Sequence, residues 1–219
     1  MTDALAARLR AATSVLHRQA ERTPFMAALL RGRMTAPAYC LLLRNLEAIY
    51  ESMEIGLCLH DGHPAVSHLV VPAVFRTDAL RDDLQELHGS GWREDLDRLP
   101  ACARYTARLR EIADRDPALL VAHAYVRYLG DLSGGQMLKD IVSRSLGLAP
   151  LARGTAFYEF GPPERVAMLA QRLRAGIDLA GQAAGASAAM VQEARHSFEM
   201  HCDLFGELAD ACGIGAESL

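Results

Sequence analysis

The sequence predicts an all-α protein, a single helical domain over residues 1–219, and three observations carry that reading. Ala, Leu and Arg, all good helix formers, are abundant, while extended β-branched runs are few. Apolar residues recur at helical rather than alternating spacing along most of the chain. Proline and glycine cut this pattern into pieces of helical length, as at Thr23-Pro24, Gly89-Ser90-Gly91 and Asp116-Pro117. The 219 residues suffice for one substantial core.

The first helix is expected from about Thr2 to Arg22, with Thr2 or Asp3 able to cap it and Leu5, Leu9, Ala12, Leu16 and Ala20 as its apolar stripe. Proline disfavours the helical region for the residue before it, so Thr23-Pro24 ends that helix and residues 25–30 read as a short turn. Thr35 reads as the N-cap of a second long helix, with Pro37 in its first turn. That helix reaches about Leu59, burying Leu41, Leu42, Asn45, Ile49, Met53 and Leu57 and leaving Glu47, Glu51 and Glu54 toward solvent. Tyr50, on the same helix, is either core or a polar tip facing a pocket. His60 and His63 fall in a Gly/Pro loop and read as surface residues. Shorter helices are expected near residues 67–71, 76–87 and 101–115, with Trp92 in a charged loop between them. Asp116-Pro117 opens a long helix, residues 147–150 close it, and residues 153–163 are irregular, with Phe157, Tyr158 and Phe160 packing the connection down. Two amphipathic helices, about 163–183 and 187–212, finish the chain.

The chemistry points to the long helix, YVRYLGDLSGGQMLKDIVSRS from Tyr125 to Ser145. Its middle carries Gly130, Gly134 and Gly135, each costing about 0.5–1 kcal/mol relative to alanine. Either Gly130 and Gly134 allow a neighbouring helix to pack closely, or the bare backbone lies against a flat ligand. Asp131 stands three and four residues before Gly134 and Gly135, on a face set to be buried, and a buried carboxylate is costly without a donor or a water. On the first helix, Arg10, Thr13, His17 and Glu21 form a line beside the apolar stripe. His17 is either a half-buried histidine at a helix interface or a metal ligand whose small neighbours, Thr13, Ser14 and Ala20, leave room for something large. Glu21, one turn on, can orient the imidazole, and Arg10 places a cation about 10 Å along the same face.

Composition excludes several classes. The formal net charge of −4 gives no drive toward nucleic acid or an acidic membrane surface. Five scattered cysteines without a C-x-x-C pair suggest free thiols and a cytoplasmic protein. No signal peptide and no run of eighteen apolar residues is visible, so no membrane association is expected. No P-loop, dinucleotide fingerprint, zinc motif or paired E-x-x-H motif appears, which removes a di-iron oxidase.

Three segments carry a family resemblance. AHAYVRYLGDLSGGQMLKDI, residues 122–141, resembles the distal-helix signature of the heme oxygenases. LHRQAERTPFM, residues 16–26, is similar to that family's proximal-helix segment, and QEARHSFEMHCDLFGEL, residues 192–208, to its last helix. The resemblance spans nearly the whole chain in the same order. It implies heme b, as both substrate and cofactor, held between the first helix and a glycine-kinked distal helix in a monomeric, biliverdin-producing enzyme. O2 and an electron donor such as a ferredoxin or a flavoprotein reductase are the further partners it implies.

Carried over position by position, the resemblance makes His17 the axial iron ligand and Glu21 the carboxylate beside it. It places Gly130 and Gly134, with Gly135 next to them, against the heme face, and Asp131, Tyr50 and Arg127 in a distal polar network. Arg10, Tyr125 and Arg174 fall at propionate-partner positions, and Phe198 and Phe205 at pocket-lining ones. The chain departs from the family where lysines are expected, carrying Ser14 and Ala170 there, which leaves Arg10, Arg172 and Arg174 to do more of that work. The rivals are a heme-binding protein without turnover, which gives Asp131 no task, and a bundle of the same fold serving another small molecule.

Overall fold

The computed structural model describes residues 4–149, 153–185 and 187–215. Among them are helices α1 (Leu5–Glu21), α2 (Pro24–Leu30), α3 (Ala36–Leu59), α4 (Thr77–Leu87), α5 (Trp92–Asp95), α6 (Pro100–Arg115), α7 (Leu120–Ser145), α8 (Pro163–Ala184) and α9 (Ser187–Ala211), with short 3-10 turns and no strand. The long helices agree with the periodicity of the sequence. Thr35 caps α3, its Oγ1 accepting from the Ala38 N–H at 3.4 Å. Gly185, at φ +60, ends α8 in the left-handed conformation that glycine adopts without strain. The caps expected at Thr2 and Asp3 lie outside the described residues.

Three local expectations are corrected. Residues 25–30 are not a turn: Pro24 occupies the first position of α2, where its missing N–H costs nothing, so it starts a helix as well as ending one. Trp92 is not in a loop; it opens α5 and is buried, with Arg44 and Arg93 guanidinium carbons 5.0 Å and 4.1 Å from its ring centroid. Glu47 and Glu54 do not face solvent. Glu47 accepts from Arg44 and Arg81 at 2.9 Å each. Glu54 accepts the Arg76 N–H at 2.6 Å and the Thr77 N–H at 3.2 Å, satisfying the start of α4.

Helix α3 runs through the core, burying Leu43, Ile49, Tyr50, Met53 and Leu57 completely, and packs against α4 and α6. Helix α9 serves the other half of the molecule, packing against α1, α7 and α6. The α7–α9 contact is polar as well as apolar. His123, Arg127 and Asp131 repeat every fourth residue on α7, and Glu193, Ser197 and His201 do so on α9, which puts each trio in a line along one helix face. His123 Nε2 meets Glu193 Oε1 at 3.0 Å, and Arg127 Nη1 meets His201 Nε2 at 3.0 Å. Tyr105 of α6 reaches between them, its hydroxyl 2.7 Å from Ser197 Oγ and 3.1 Å from His123 Nδ1.

At the outer end, Arg108 donates to both oxygens of Glu193, at 3.1 Å and 2.7 Å. Burial pushes the Glu193 carboxyl up, but the His123 and Arg108 hydrogen bonds outweigh it and bring the pKa from 4.5 to about 2. A carboxyl depressed on folding contributes stability above its unfolded pKa and loses it as pH falls through the folded one. The Glu193 contribution, about 3 kcal/mol by that linkage, is therefore complete above pH 4.5 and vanishes toward pH 2. Urea denaturation across this window is expected to show Glu193→Gln less stable than the parent at pH 7, with the gap closing as pH approaches 2.

Candidate active site between the first and seventh helices

Helices α1 and α7 both pack against α8 and α9 and meet each other far less. Where they do meet, Thr13 Oγ1 lies 3.5 Å from the Tyr125 hydroxyl. One turn beyond Thr13, the His17 side chain is 54% exposed. Its ring touches the edge of Phe198 from α9, with centroids 5.8 Å apart at 66°. Glu21 Oε1 is 3.6 Å from Nδ1, close enough to bias the ring but beyond a direct hydrogen bond. Among the described residues Nε2 has no hydrogen-bond partner, so one nitrogen stays available to a ligand. A histidine packed into a helix interface would not stand this open.

Helix α7 is hydrogen-bonded as one helix through its glycines. A Cβ built on Gly130 would meet nothing within 4 Å, and one on Gly134 would meet Leu138 Cδ1 at 4.0 Å alone. The pair therefore borders open space, and helix packing does not account for it. Gly135 behaves differently: it is buried, and a Cβ there would lie 3.7 Å from Tyr158 Cδ1. Five residues past Gly130 the helix has turned about 140° away, so Gly135 is covered by the 156–158 turn and does not extend the bare patch.

Asp131 lies beside this patch and is buried. The donors that a buried carboxylate needs are Tyr50 and Arg127: Tyr50 Oη donates to Oδ2 in a short contact, and Arg127 Nη2 donates to Oδ1 at 3.2 Å. Arg127 Nε donates to the Tyr50 oxygen at 2.9 Å and closes the triangle. Burial raises the Asp131 pKa, opposed by Arg127, the Tyr50 hydroxyl and Arg76. Burial likewise raises Tyr50, against Arg127. Burial works against the Arg127 charge, but Tyr50, Asp131 and Tyr105 more than restore it. The result is a carboxyl with a raised affinity for a proton, next to a hydroxyl that can share one.

The remaining candidates lie on α1, α7, α8 and α9. Phe198 and Phe205 are buried on α9, facing His17 and His201 respectively. Tyr125 is half-buried and joined to Thr13. Arg10 and Arg174 are exposed on α1 and α8, helices tied together by the Ala6 N–H donating to Asp178 at 2.8 Å. Arg174 shares a cleft of about 360 Å³ with Leu132, Ser133, Gln136 and Ala170, so a cation stands between α7 and α8 where Ala170 replaces the expected lysine. A cleft of about 900 Å³ elsewhere, lined by Asp82, Lys139, Arg144 and Glu159 among others, contains none of these residues.

Sequence reasoning missed His201, Ser197, Tyr105, His123 and Glu193. The signal was present as polar residues at four-residue spacing on the apolar face of the last helix, 193, 197 and 201, facing the same spacing at 123, 127 and 131.

The heme oxygenase family model matches residues 3–207. Heme oxygenase 1 of Nostoc sp. is 36% identical over 208 residues, covering 95% of this chain and 87% of the relative. The human heme oxygenase 1 is 34% identical, covering 96% of this chain and 73% of its own length. Among solved structures, heme oxygenase-1 from Synechocystis in complex with heme superposes with a TM-score of 0.86 at 35% identity, covering 97% of both chains. Synechocystis heme oxygenase-2 in complex with heme and NO gives a TM-score of 0.90 at 33% identity, covering 99% of this chain and 90% of that one. The chain belongs to the heme oxygenase family.

Proposed function

We propose that this chain is a heme oxygenase that opens heme b to biliverdin, releasing iron and CO, with O2 and electrons from a separate donor such as a ferredoxin or a flavoprotein. The observation that carries the reading is the pairing of an exposed imidazole at position 17 with a buried, donor-held carboxylate beside side-chain-free backbone. The residues fit a flat, largely apolar plate with two anionic groups on its edge. His17 Nε2 would hold the iron, with Glu21 biasing the ring through Nδ1. Gly130 and Gly134 provide the flat wall, Phe198 and Phe205 the apolar floor, and Arg10, Tyr125 and Arg174 the polar rim for the propionates.

When bound, heme supplies the iron at which oxygen is reduced and the porphyrin edge that is opened. The chain supplies position and protons. Backbone at Gly130 and Gly134 would limit what fits beside the bound group. Both oxygens of Asp131 accept from the protein but keep lone pairs that can hold a water. Its raised pKa suits it to hold a proton and pass it to that water. A protein that merely carries heme has no use for a carboxyl poised to give a proton there. The direct test adds a reductant and O2 to the purified heme complex. Bleaching of the Soret band with formation of a bilin and CO is expected; a spectrum that only cycles between ferric and ferrous forms would leave a carrier.

Three substitutions separate the roles. Asp131→Ala is expected to bind heme as the parent does and to lose biliverdin formation by about 100-fold or more, the scale of a general acid; full activity would remove Asp131 from the mechanism. His17→Ala is expected to lose the parent's ferric heme spectrum, and an unchanged spectrum would rule out ligation by His17. Gly130→Ala is expected to raise the thermal stability of the heme-free protein, by up to about 1 kcal/mol of helix propensity, because its Cβ meets nothing. The same variant should bind heme more weakly. Unchanged heme affinity would place the ligand elsewhere.

A further inference from the structure

His201 is a buried imidazole whose two nitrogens have different and fully specified partners. Nδ1 lies 2.8 Å from the Ser197 carbonyl oxygen, which can only accept, so Nδ1 carries the hydrogen. Nε2 lies 3.0 Å from Arg127 Nη1, which can only donate, so Nε2 presents a lone pair. A charged imidazolium would set two N–H groups against each other at 3.0 Å. The ring is clamped as well: Tyr105 stands edge-on to it, with centroids 4.9 Å apart at 89°, and Phe205 lies at 6.0 Å.

The titratable groups around it are Arg127 and His123 from α7, Tyr105 from α6 and, beyond Arg127, Tyr50 from α3. Burial, then Arg127, lowers the His201 pKa far below its usual value, and His123 adds to this against the Ser197 carbonyl. The consequence falls on Arg127. Its Nε and Nη2 serve Tyr50 and Asp131, and Nη1 serves His201, so three elements fix the plane of one guanidinium.

We propose that His201 is a positioning residue: with its hydrogen on Nδ1, it is the acceptor that locks the Arg127 guanidinium and thereby sets the Tyr50–Asp131 pair. Its effect on turnover rests on the function proposed above; the contact itself does not. A packing role would ask for a ring of this size and nothing of its nitrogens.

The test combines NMR of the heme-free protein with two variants. Long-range proton–nitrogen spectra are expected to show a protonated Nδ1 and an unprotonated Nε2 on His201 at every pH from about 5.5 to 8, and slow exchange of the Arg127 Nη1 hydrogen that faces it. The opposite tautomer, or titration within that range, overturns the proposal. His201→Leu keeps bulk without an acceptor, and His201→Gln restores a carbonyl oxygen. Both are expected to bind heme like the parent. The leucine variant should exchange the Arg127 hydrogen faster and form biliverdin about tenfold more slowly, the scale of one lost charge-assisted hydrogen bond, while glutamine recovers most of that loss. Equal impairment of the two variants, or none, overturns the proposal. Should the leucine variant fail to fold, the parent's tautomer and Arg127 exchange still decide it. Should the parent form no bilin, the proposed function fails while the same two NMR readouts still judge the contact.

Discussion

The guanidinium of Arg127 is the point where the halves of this molecule are tied together. It reaches α3 through Tyr50, stays on α7 through Asp131 and crosses to α9 through His201. An arginine this enclosed is tolerable only because its donors are matched, and removing a partner would leave a buried charge exposed to its full desolvation cost. The constraint then propagates. Tyr105, His123, Ser197 and Glu193 continue the hydrogen-bonded line outward until Arg108 meets solvent. Such a seam adds less net stability than an apolar one would, but it fixes the register of α7 on α9. Register is what places Asp131, next to Gly130, within reach of Tyr50 on α3.

The site itself divides a helix into covered and uncovered backbone. Gly135 is buried under Tyr158, whereas Gly130 and Gly134 border open space. The first is an ordinary close approach between packed elements. The other two lower helix propensity without any packing return, a pattern expected where structure is held ready for a ligand. His17 on α1 keeps one ring nitrogen without a partner among the described residues while its ring packs on Phe198.

Much of this was legible in the sequence because it is written locally. Helical periodicity, the Thr35 cap and the proline and glycine stops locate the long helices, and Gly130, Asp131 and His17 stand out because each breaks a local rule. What was not legible depends on partners far along the chain. Glu47 and Glu54 have the spacing of a solvated face, but their partners, Arg81 and the start of α4, come 34 and 22 residues later and cover them. His201 was hidden differently: beside Phe198, Cys202 and Phe205 it reads as part of an apolar stripe, and only the facing trio on α7 shows that its nitrogens are used.

The most direct measurement is a crystal structure of the protein with heme bound. The account predicts iron on the imidazole of His17, the porphyrin plane against Gly130 and Gly134, and the contacts of Arg127 to Tyr50, Asp131 and His201 kept as they are. A heme seated elsewhere, or an Arg127 swung out of the seam to meet it, would contradict the account.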